Sequence, residues 1–438
     1  MTETNRASWG SKLGVMLAAA GSAVGLGNLW RFPFCAAQNG GGTFLTIYLL
    51  CSFTIGLALV FAESALGIKA KSDPTDAFGQ ISPKLKFIGG LCVFTSIIIL
   101  PYYSLVGGWI SAYVVKFFSM SSDTKFNNVF NNFASSPVEP LIFFYIYLIG
   151  SATVVYFGIQ NGIEKFSKIM MPLLFILLLV LTGRVLMLDK AWEGVKFFFR
   201  PDFSKLSGET LMNAMGQVFF SVSVGMGVYI TYGSYVKDNS VPVSRLMWPV
   251  IVLDVLVSLL AGLMIFPAVF SFNVPINAGP ALIFITLPQI FASIPFGRFF
   301  GFLFFVILLG AAATSSISLF EVVVTFLCDQ MKMTRQKAVI GFTSVCLIIG
   351  TFVSLSFGKL SGFKIGGKIL FDQFDFIASN ILLPLGGFLT CIAIGWFWES
   401  GKLAVFQNRF LQKSFEFCIK WIAPVFIILI LLKGLNFI

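Results

Sequence analysis

Long apolar runs separated by short polar intervals set the pattern of this chain. Eleven runs, at approximately 10–37, 41–68, 86–118, 140–158, 167–187, 211–235, 243–270, 297–327, 337–356, 374–398 and 415–437, are each long enough for a membrane-crossing helix. The yardstick is a hydrocarbon core of about 30 Å crossed at ~1.5 Å per residue. Several runs exceed that need, which implies tilt or a break. The predicted fold is an all-α polytopic membrane protein with 11 transmembrane spans.

The first run is interrupted where a plain membrane helix would carry leucine. Residues 21–31 read Gly-Ser-Ala-Val-Gly-Leu-Gly-Asn-Leu-Trp-Arg. Each glycine lowers helix stability by about 1 kcal/mol against alanine. Backbone that leaves the helix at membrane depth survives only where it lines a cavity or is buried in protein. Gly21 and Gly25 also form a GxxxG packing pair. Packing explains those two glycines and leaves Gly27, Asn28 and Arg31 without a reason. Span 6 carries a second interruption, Ser221–Gly227, reading Ser-Val-Ser-Val-Gly-Met-Gly. Each break falls in the first span of a block of five. Broken segments at matching places in two halves point to an inverted-repeat transporter with its site at the breaks. The predicted organisation is a first repeat over 1–187, with span 1 unwound near 23–27, and a connection over 188–210. A second repeat follows over 211–398, unwound near 221–227, and then a last span within 399–438.

Two connections are not simple. Residues 119–138 read as a polar, asparagine-rich loop. Residues 271–296 hold four prolines yet are apolar, as a re-entrant lid would be. The composition agrees with a membrane chain: 57% hydrophobic and 11% charged over 438 residues, where a soluble domain carries about 25% charged. The net charge of +11 lies mostly in short loops, so it sets orientation rather than binding nucleic acid. It predicts the N-terminus inside and, with an odd span count, the C-terminus outside. The seven cysteines are scattered, without metal-ligand or disulfide spacing, and there is no histidine. No hydrolase, zinc or P-loop motif occurs, which removes the common enzyme classes. The apolar segment runs on past Ala18-Ala19-Ala20 into Trp30, so a cleaved signal peptide is not expected. No N-glycosylation acceptor occurs.

Nearly the whole chain resembles the neurotransmitter:sodium symporter family, with its leucine-transporter (LeuT) fold. The residues that carry the likeness are Trp9, then 21–33, then Asn39-Gly-Gly-Gly. They continue with Tyr102-Tyr103, Gly216-Gln217-Val218-Phe219-Phe220-Ser221 and Ala313-Thr314-Ser315-Ser316. The resemblance implies a LeuT-type inverted repeat of 5+5 helices plus one extra C-terminal helix, where the family usually has twelve spans. The overall look is that of bacterial tyrosine transporters.

The resemblance also implies sites. A first sodium ion would take Ala23 (carbonyl), Asn28, Ser221 and the substrate carboxylate. The family usually adds an asparagine from span 7, where this chain has Asp254. A second sodium would take carbonyls of Gly21, Val24 and Ala311 with the hydroxyls of Thr314 and Ser315. All are hard oxygens, although Thr and Ser on membrane helices often bond only to their own carbonyls. Chloride-requiring members carry serine at the Ser258 position, and chloride-independent bacterial ones carry glutamate. Asp254, one turn from Ser258, is expected to supply that fixed charge, with chloride not required. A proton relay and a hydrogen-bonded structural aspartate are the alternatives. Substrate would meet Ala23, Gly25, Leu26, Gly27, Tyr103, Phe220, Ser221 and Ser223 at its polar end. Ile99, Tyr103, Phe220, Met226, Ser315 and Leu319 would line its side chain. Ser318 or Ser22 would meet a phenol. Gates would pair Arg31 with Asp375 outside, across water, and Arg6 with Asp329 inside, with Trp9, Ser234 and Tyr235 beside them.

The expected activity is sodium-coupled amino-acid symport by alternating access, with aromatic or large hydrophobic substrates and L-tyrosine first. An uncoupled or proton-coupled transporter, or an ion channel, is the alternative. The expected partners are the amino acid, sodium and the lipid of a bacterial inner membrane, for a monomer or homodimer, without nucleic acid.

Overall fold

Backbone amides in hydrocarbon must be satisfied within the chain, and helices do this locally. The computed structural model describes residues 6–120, 123–237, 242–274, 281–398, 405–435 and 437. These are helical, with short connections and no strand among them beyond one isolated bridge, Ile365 to Lys368. The first run is two helices, α1 (Lys12–Ala23) and α2 (Gly27–Gln38), bent by 48°. Then come α3 (Gly42–Ala70), α4 (Pro74–Ile81), α5 (Pro83–Ser119), α6 (Phe126–Ser135), α7 (Glu139–Tyr156) and α8 (Ile159–Leu186). The second half opens with α9 (Ala191–Phe199), α10 (Gly208–Ser221), α11 (Val228–Ser234) and α12 (Val243–Phe272). It closes with α13 (Leu282–Ala292), α14 (Gly297–Gln330), α15 (Arg335–Leu355), α16 (Leu370–Phe397) and α17 (Arg409–Gly434).

Among the described residues nine helices are long and apolar enough to cross a bilayer, and the bent pair α1/α2 makes ten. The expected sixth span is α10 and α11, each too short to cross alone. The two broken elements sit centrally. α1 packs on α12, α14 and α8, and α11 lies along α3. In α3 and α14 72% of the most apolar stretch is buried, against 33% in α8 and α17. The latter two, with α7 and α15, turn residues such as Ile146, Ile176, Ile348 and Trp421 outward. That ring of apolar side chains is the lipid-facing surface.

The polar reading of 119–138 is corrected in part. Phe126, Phe130 and Phe133 fall at helical spacing, and α6 forms by burying Phe126 and Phe133 while most of its asparagines face out. Its Phe130 stacks on Phe284 of α13, with ring centroids 5.2 Å apart. Phe284 also meets Tyr113 of α5 at 4.9 Å. The apolar stretch of the expected lid is thus a buried helix. Residues 275–280 of that loop, including Pro275 and Pro280, lie outside the described residues, as do 399–404 at the start of the last segment. The connection 188–210 contains α9, whose buried Phe198 stacks on Phe266 of α12 and meets Phe32 of α2 edge-on.

Candidate functional site

The site forms where two helices stop. α1 starts on a Ser11 cap, whose side chain accepts from the Gly14 amide. It ends at Ala23, and Val24 is extended at φ −74°, ψ 95°. No positive φ is needed here, so the glycines act through close approach. A Cβ on Gly25 would lie 2.8 Å from Ser315 Oγ, and one on Gly27 2.8 Å from the Phe220 ring. The second break works differently. After Ser221 the chain takes left-handed conformations at Ser223 (φ 56°), Gly225 (82°) and Gly227 (77°). Such a conformation costs a non-glycine residue about 1–2 kcal/mol. At Ser223 the side-chain hydroxyl donates to the Ser22 carbonyl at 2.8 Å, which ties one break to the other.

Between the breaks lies a cavity of about 50 Å³, room for a few waters. Every residue expected to meet substrate lines it: Ala23, Gly25, Leu26, Gly27, Ile99, Tyr103, Phe220, Ser221, Ser223, Met226, Ser315 and Leu319. Ser22, Tyr102, Ser318 and Leu383 line it too. The Ser22 and Ser318 hydroxyls bond to each other at 2.8 Å. The buried Tyr103 hydroxyl makes no hydrogen bond of good geometry within the protein, although the Leu26 amide and the Ser315 hydroxyl lie near it. Leu383, on α16, was not expected. It enters because Gly225 lies against the α16 backbone, where a Cβ would be 2.7 Å from the Leu383 carbonyl.

Beside the cavity is a fully buried polar cluster. Asn28 Nδ2 donates to Asp254 Oδ1 at 2.7 Å and to Ser258 Oγ at 2.9 Å, while Asn28 Oδ1 accepts from the Gly25 amide at 3.1 Å. Asp254 Oδ2 accepts from Tyr48 at 3.1 Å and from Ser221 at 3.4 Å. The carboxylate is therefore met by neutral donors from α2, α3 and α10. Tyr48 was missed in the sequence, although a phenol inside an apolar span needs a partner. Glu63 was missed too. It is fully buried in α3, and its Oε1 accepts from the Gly225 amide at 2.7 Å, holding the second break open. A carboxylate in mid-span was signal enough.

On the other side of α1, Gly21 lies against Thr314, where a Cβ would be 3.1 Å from Thr314 Cβ. Thr314 Oγ1 donates to the Ala311 carbonyl at 3.0 Å. Ser315 Oγ donates to the carbonyls of Ala311 and Ser22, both at 3.2 Å. Carbonyl and hydroxyl oxygens alone make up this group, a donor set that fits a hard cation such as sodium.

Towards one end of the bundle, Arg31 lies over the Phe220 ring at 4.7 Å and donates to the Gly216 carbonyl at 3.3 Å. Asp375 accepts from Ser379 at 3.1 Å. Arg31 and Asp375 make no direct ion pair. Towards the other end the contacts are direct. Arg6 meets Asp329 at 2.7 Å and donates to Ser234 at 2.9 Å. Trp9 Nε1 donates to the Tyr232 carbonyl at 2.9 Å, and Tyr235 lies under Arg6 at 5.2 Å. Asp329 also accepts from the Asp73 amide at 3.0 Å. Burial raises the Asp73 carboxyl above the usual carboxylate range, against hydrogen bonds from Gln330 and Thr75 that pull it down. Glu321, expected from sequence to belong to the inner pathway without a firmer role, is buried in a two-point ion pair with Arg335 and accepts from Tyr235 at 2.7 Å.

Comparison with known proteins decides the family. The model of the sodium:neurotransmitter symporter family matches residues 6–138 and 139–437. The chain belongs to that family. It is 37% identical to the uncharacterized sodium-dependent transporter YhdH of Bacillus subtilis over 99% of this chain and 98% of that one. It is 32% identical to an uncharacterized sodium-dependent transporter of Haemophilus influenzae, over 99% of this chain and 100% of the relative. Among solved structures, that of MhsT in complex with L-phenylalanine superposes with a TM-score of 0.90 at 37% identity, covering 98% of this chain and all of the other. This symporter is therefore a sodium-dependent, multi-pass membrane protein with the leucine-transporter fold, not a member of an enzyme family.

Proposed function

We propose that this symporter carries an amino-acid zwitterion with sodium by alternating access, and that it favours aromatic or large hydrophobic substrates, L-tyrosine first. One observation carries the reading: a buried Tyr103 hydroxyl without a well-formed hydrogen bond, beside the backbone freed at 24–26. Freed amides and a phenol donor suit a carboxylate. Carbonyls of Ala23, Phe220 and Ser221, with the Ser223 hydroxyl, suit an ammonium. Ile99, Phe220, Met226 and Leu319 offer an apolar wall, and the Ser22–Ser318 pair offers a phenol its partner. The L-phenylalanine bound by MhsT supports the aromatic class.

In this reading the first sodium takes the Ala23 carbonyl, Asn28, Ser221 and Asp254. The second takes Gly21, Val24, Ala311, Thr314 and Ser315. Asp254 supplies the negative charge that lets transport proceed without chloride. Basic loops orient the N-terminus to the cytoplasm of a bacterial cell and the C-terminus outside, in the inner membrane. Arg6–Asp329 then closes the inner side, and Arg31 with Asp375 frames the outer side. Sodium and substrate shift the balance between states only through differential affinity. A second reading, proton coupling, draws support from Asp254 being met by neutral donors alone.

Radiolabelled tyrosine, tryptophan, phenylalanine and leucine uptake into proteoliposomes, with and without a sodium gradient, tests the proposal. Uptake that ignores sodium but follows a pH gradient selects the second reading, and ion flux without substrate uptake selects a channel. Tyr103→Phe is expected to leave folding intact, because the hydroxyl makes no hydrogen bond of good geometry within the protein. It is expected to raise KM by roughly tenfold to a hundredfold, the worth of a hydrogen bond to a charged group at about 1.5–3 kcal/mol. An unchanged KM removes Tyr103 from the carboxylate. Arg6→Ala removes a partly wet ion pair worth about 1 kcal/mol or less. It should move the population towards inward-open by up to roughly fivefold, read as labelling of a cysteine placed at Ser22. No change in labelling would mean that Arg6–Asp329 does not close that path.

A further inference from the structure

We propose that Glu164, in the first turns of α8, is a positioning residue for transport: it latches residues 8–11 onto α8 and sets how readily the inner path opens. The role presupposes the proposed alternating-access cycle and adds a second contact to its inner closure. The segment that leads into α1 is held on three sides. Arg6 meets Asp329 of α14. Trp9 meets backbone at the end of α11, its indole donating to the Tyr232 carbonyl at 2.9 Å and its amide to the Tyr235 carbonyl at 3.2 Å. The third side is α8. Glu164 Oε2 accepts from the Gly10 amide and Oε1 from the Ser11 hydroxyl, both at 2.7 Å. Gln160 Nε2 donates to the Ser8 carbonyl at 2.9 Å. Gly14, in the first turn of α1, leaves the room, because a Cβ there would overlap the Glu164 carboxylate.

The α8 side outweighs the Arg6 side. The Glu164 side chain is 4% exposed, against 20% for Arg6 and 25% for Asp329, so water competes less for its bonds. A hydrogen bond to a charged group is worth roughly tenfold to a hundredfold in an equilibrium. A partly wet ion pair is worth up to about fivefold. Release is nonetheless reversible. Lys168, one turn along α8, also donates to Glu164 Oε1 at 2.7 Å. When residues 8–11 leave, the carboxylate keeps a cation on its own helix, whereas an unpaired buried charge would oppose the step. The latch reaches the substrate site through α1 itself, whose far end carries Gly21 and Ala23 at the first break. A ligand that binds the docked α1 and the Glu164 latch therefore reinforce each other.

The test is the distance between nitroxides carried on unnatural amino acids at Ala7 and Lys165, both exposed. It is read by pulsed electron paramagnetic resonance on the purified full chain in detergent without sodium. Undocking adds a longer distance, and the two populations give the equilibrium. Glu164→Gln keeps the shape and removes the charge, so it should raise the undocked-to-docked ratio by roughly tenfold to a hundredfold. Arg6→Ala should raise it by no more than about fivefold. Gly14→Ala, made on the opposite partner, forces the carboxylate aside while favouring the α1 helix, and should raise the ratio by at least about fivefold. An unchanged distance distribution in Glu164→Gln, or a shift no larger than that of Arg6→Ala, overturns the latch. So does a lower melting temperature with the docked distance intact, which would make Glu164 only a support of the α8 fold. The latch and the transport reading fail separately. Uptake indifferent to sodium would remove sodium coupling, while the distances in sodium-free buffer would still decide Glu164.

Discussion

On the proposed fixed-charge role of Asp254, Asp254→Asn is expected to make transport require chloride. The substitution restores the asparagine that the family usually carries at this position and leaves Ser258 in place. It removes one negative charge from a fully buried cluster that contains Asn28 and Ser221. A unit charge about 4 Å from a cation is worth about 4 kcal/mol at an effective dielectric constant of 20. Sodium affinity in chloride-free medium should therefore fall roughly a thousandfold. Chloride should return most of it, because the hydroxyls of Tyr48, Ser221 and Ser258 already converge there. The measurement is sodium-dependent uptake with chloride replaced by gluconate. Collapse of uptake by the unsubstituted protein in gluconate would end the fixed-charge idea. A wild-type rate that tracks an imposed pH gradient instead would assign Asp254 to a proton.

Gly225→Ala should cost both stability and transport, whereas Gly216→Ala should cost neither. Gly225 combines a positive φ of 82° with backbone on its open side, a Cβ lying 2.7 Å from the Leu383 carbonyl and 3.0 Å from the Gly387 amide. The left-handed conformation adds about 1–2 kcal/mol for alanine, and overpacking against backbone adds about 1–3 kcal/mol. The α16 backbone would have to retreat, widening the cavity and pulling the Gly225 amide from Glu63. A drop in melting temperature of about 5 °C or more and at least a tenfold loss of uptake are expected. Gly216 sits in α10 with nothing within 4 Å of a Cβ, and alanine there favours the helix. Identical behaviour of the two variants would show that close packing at the second break does not matter.

The helical membrane class was legible because hydrocarbon leaves few alternatives to a helix. Runs of apolar residues therefore read directly as spans, and motifs in fixed order from Trp9 to Ser316 read as the family. Two kinds of residue escaped. Tyr48 and Glu63 are single polar residues inside otherwise apolar runs, and their partners Asp254 and Gly225 lie some two hundred and one hundred and sixty residues away. Leu383 carries no polar signal at all and enters the cavity only through the approach of α16 to Gly225. α6 was hidden by its asparagines, since its apolar face appears only at helical spacing and needs α13 to cover it.

By itself, then, the sequence determined what depends on local chemistry: helices in lipid, weak points at glycine-rich stretches, and the family those motifs mark. The tertiary structure alone decided which buried polar atoms meet. Each of those pairings joins two separate elements: helix to helix for Asn28 with Asp254 and Glu321 with Arg335, and a helix to the second break for Glu63 with Gly225. A buried donor or acceptor takes whichever partner the packing of the helices brings within about 3 Å, and that packing depends on every apolar face at once.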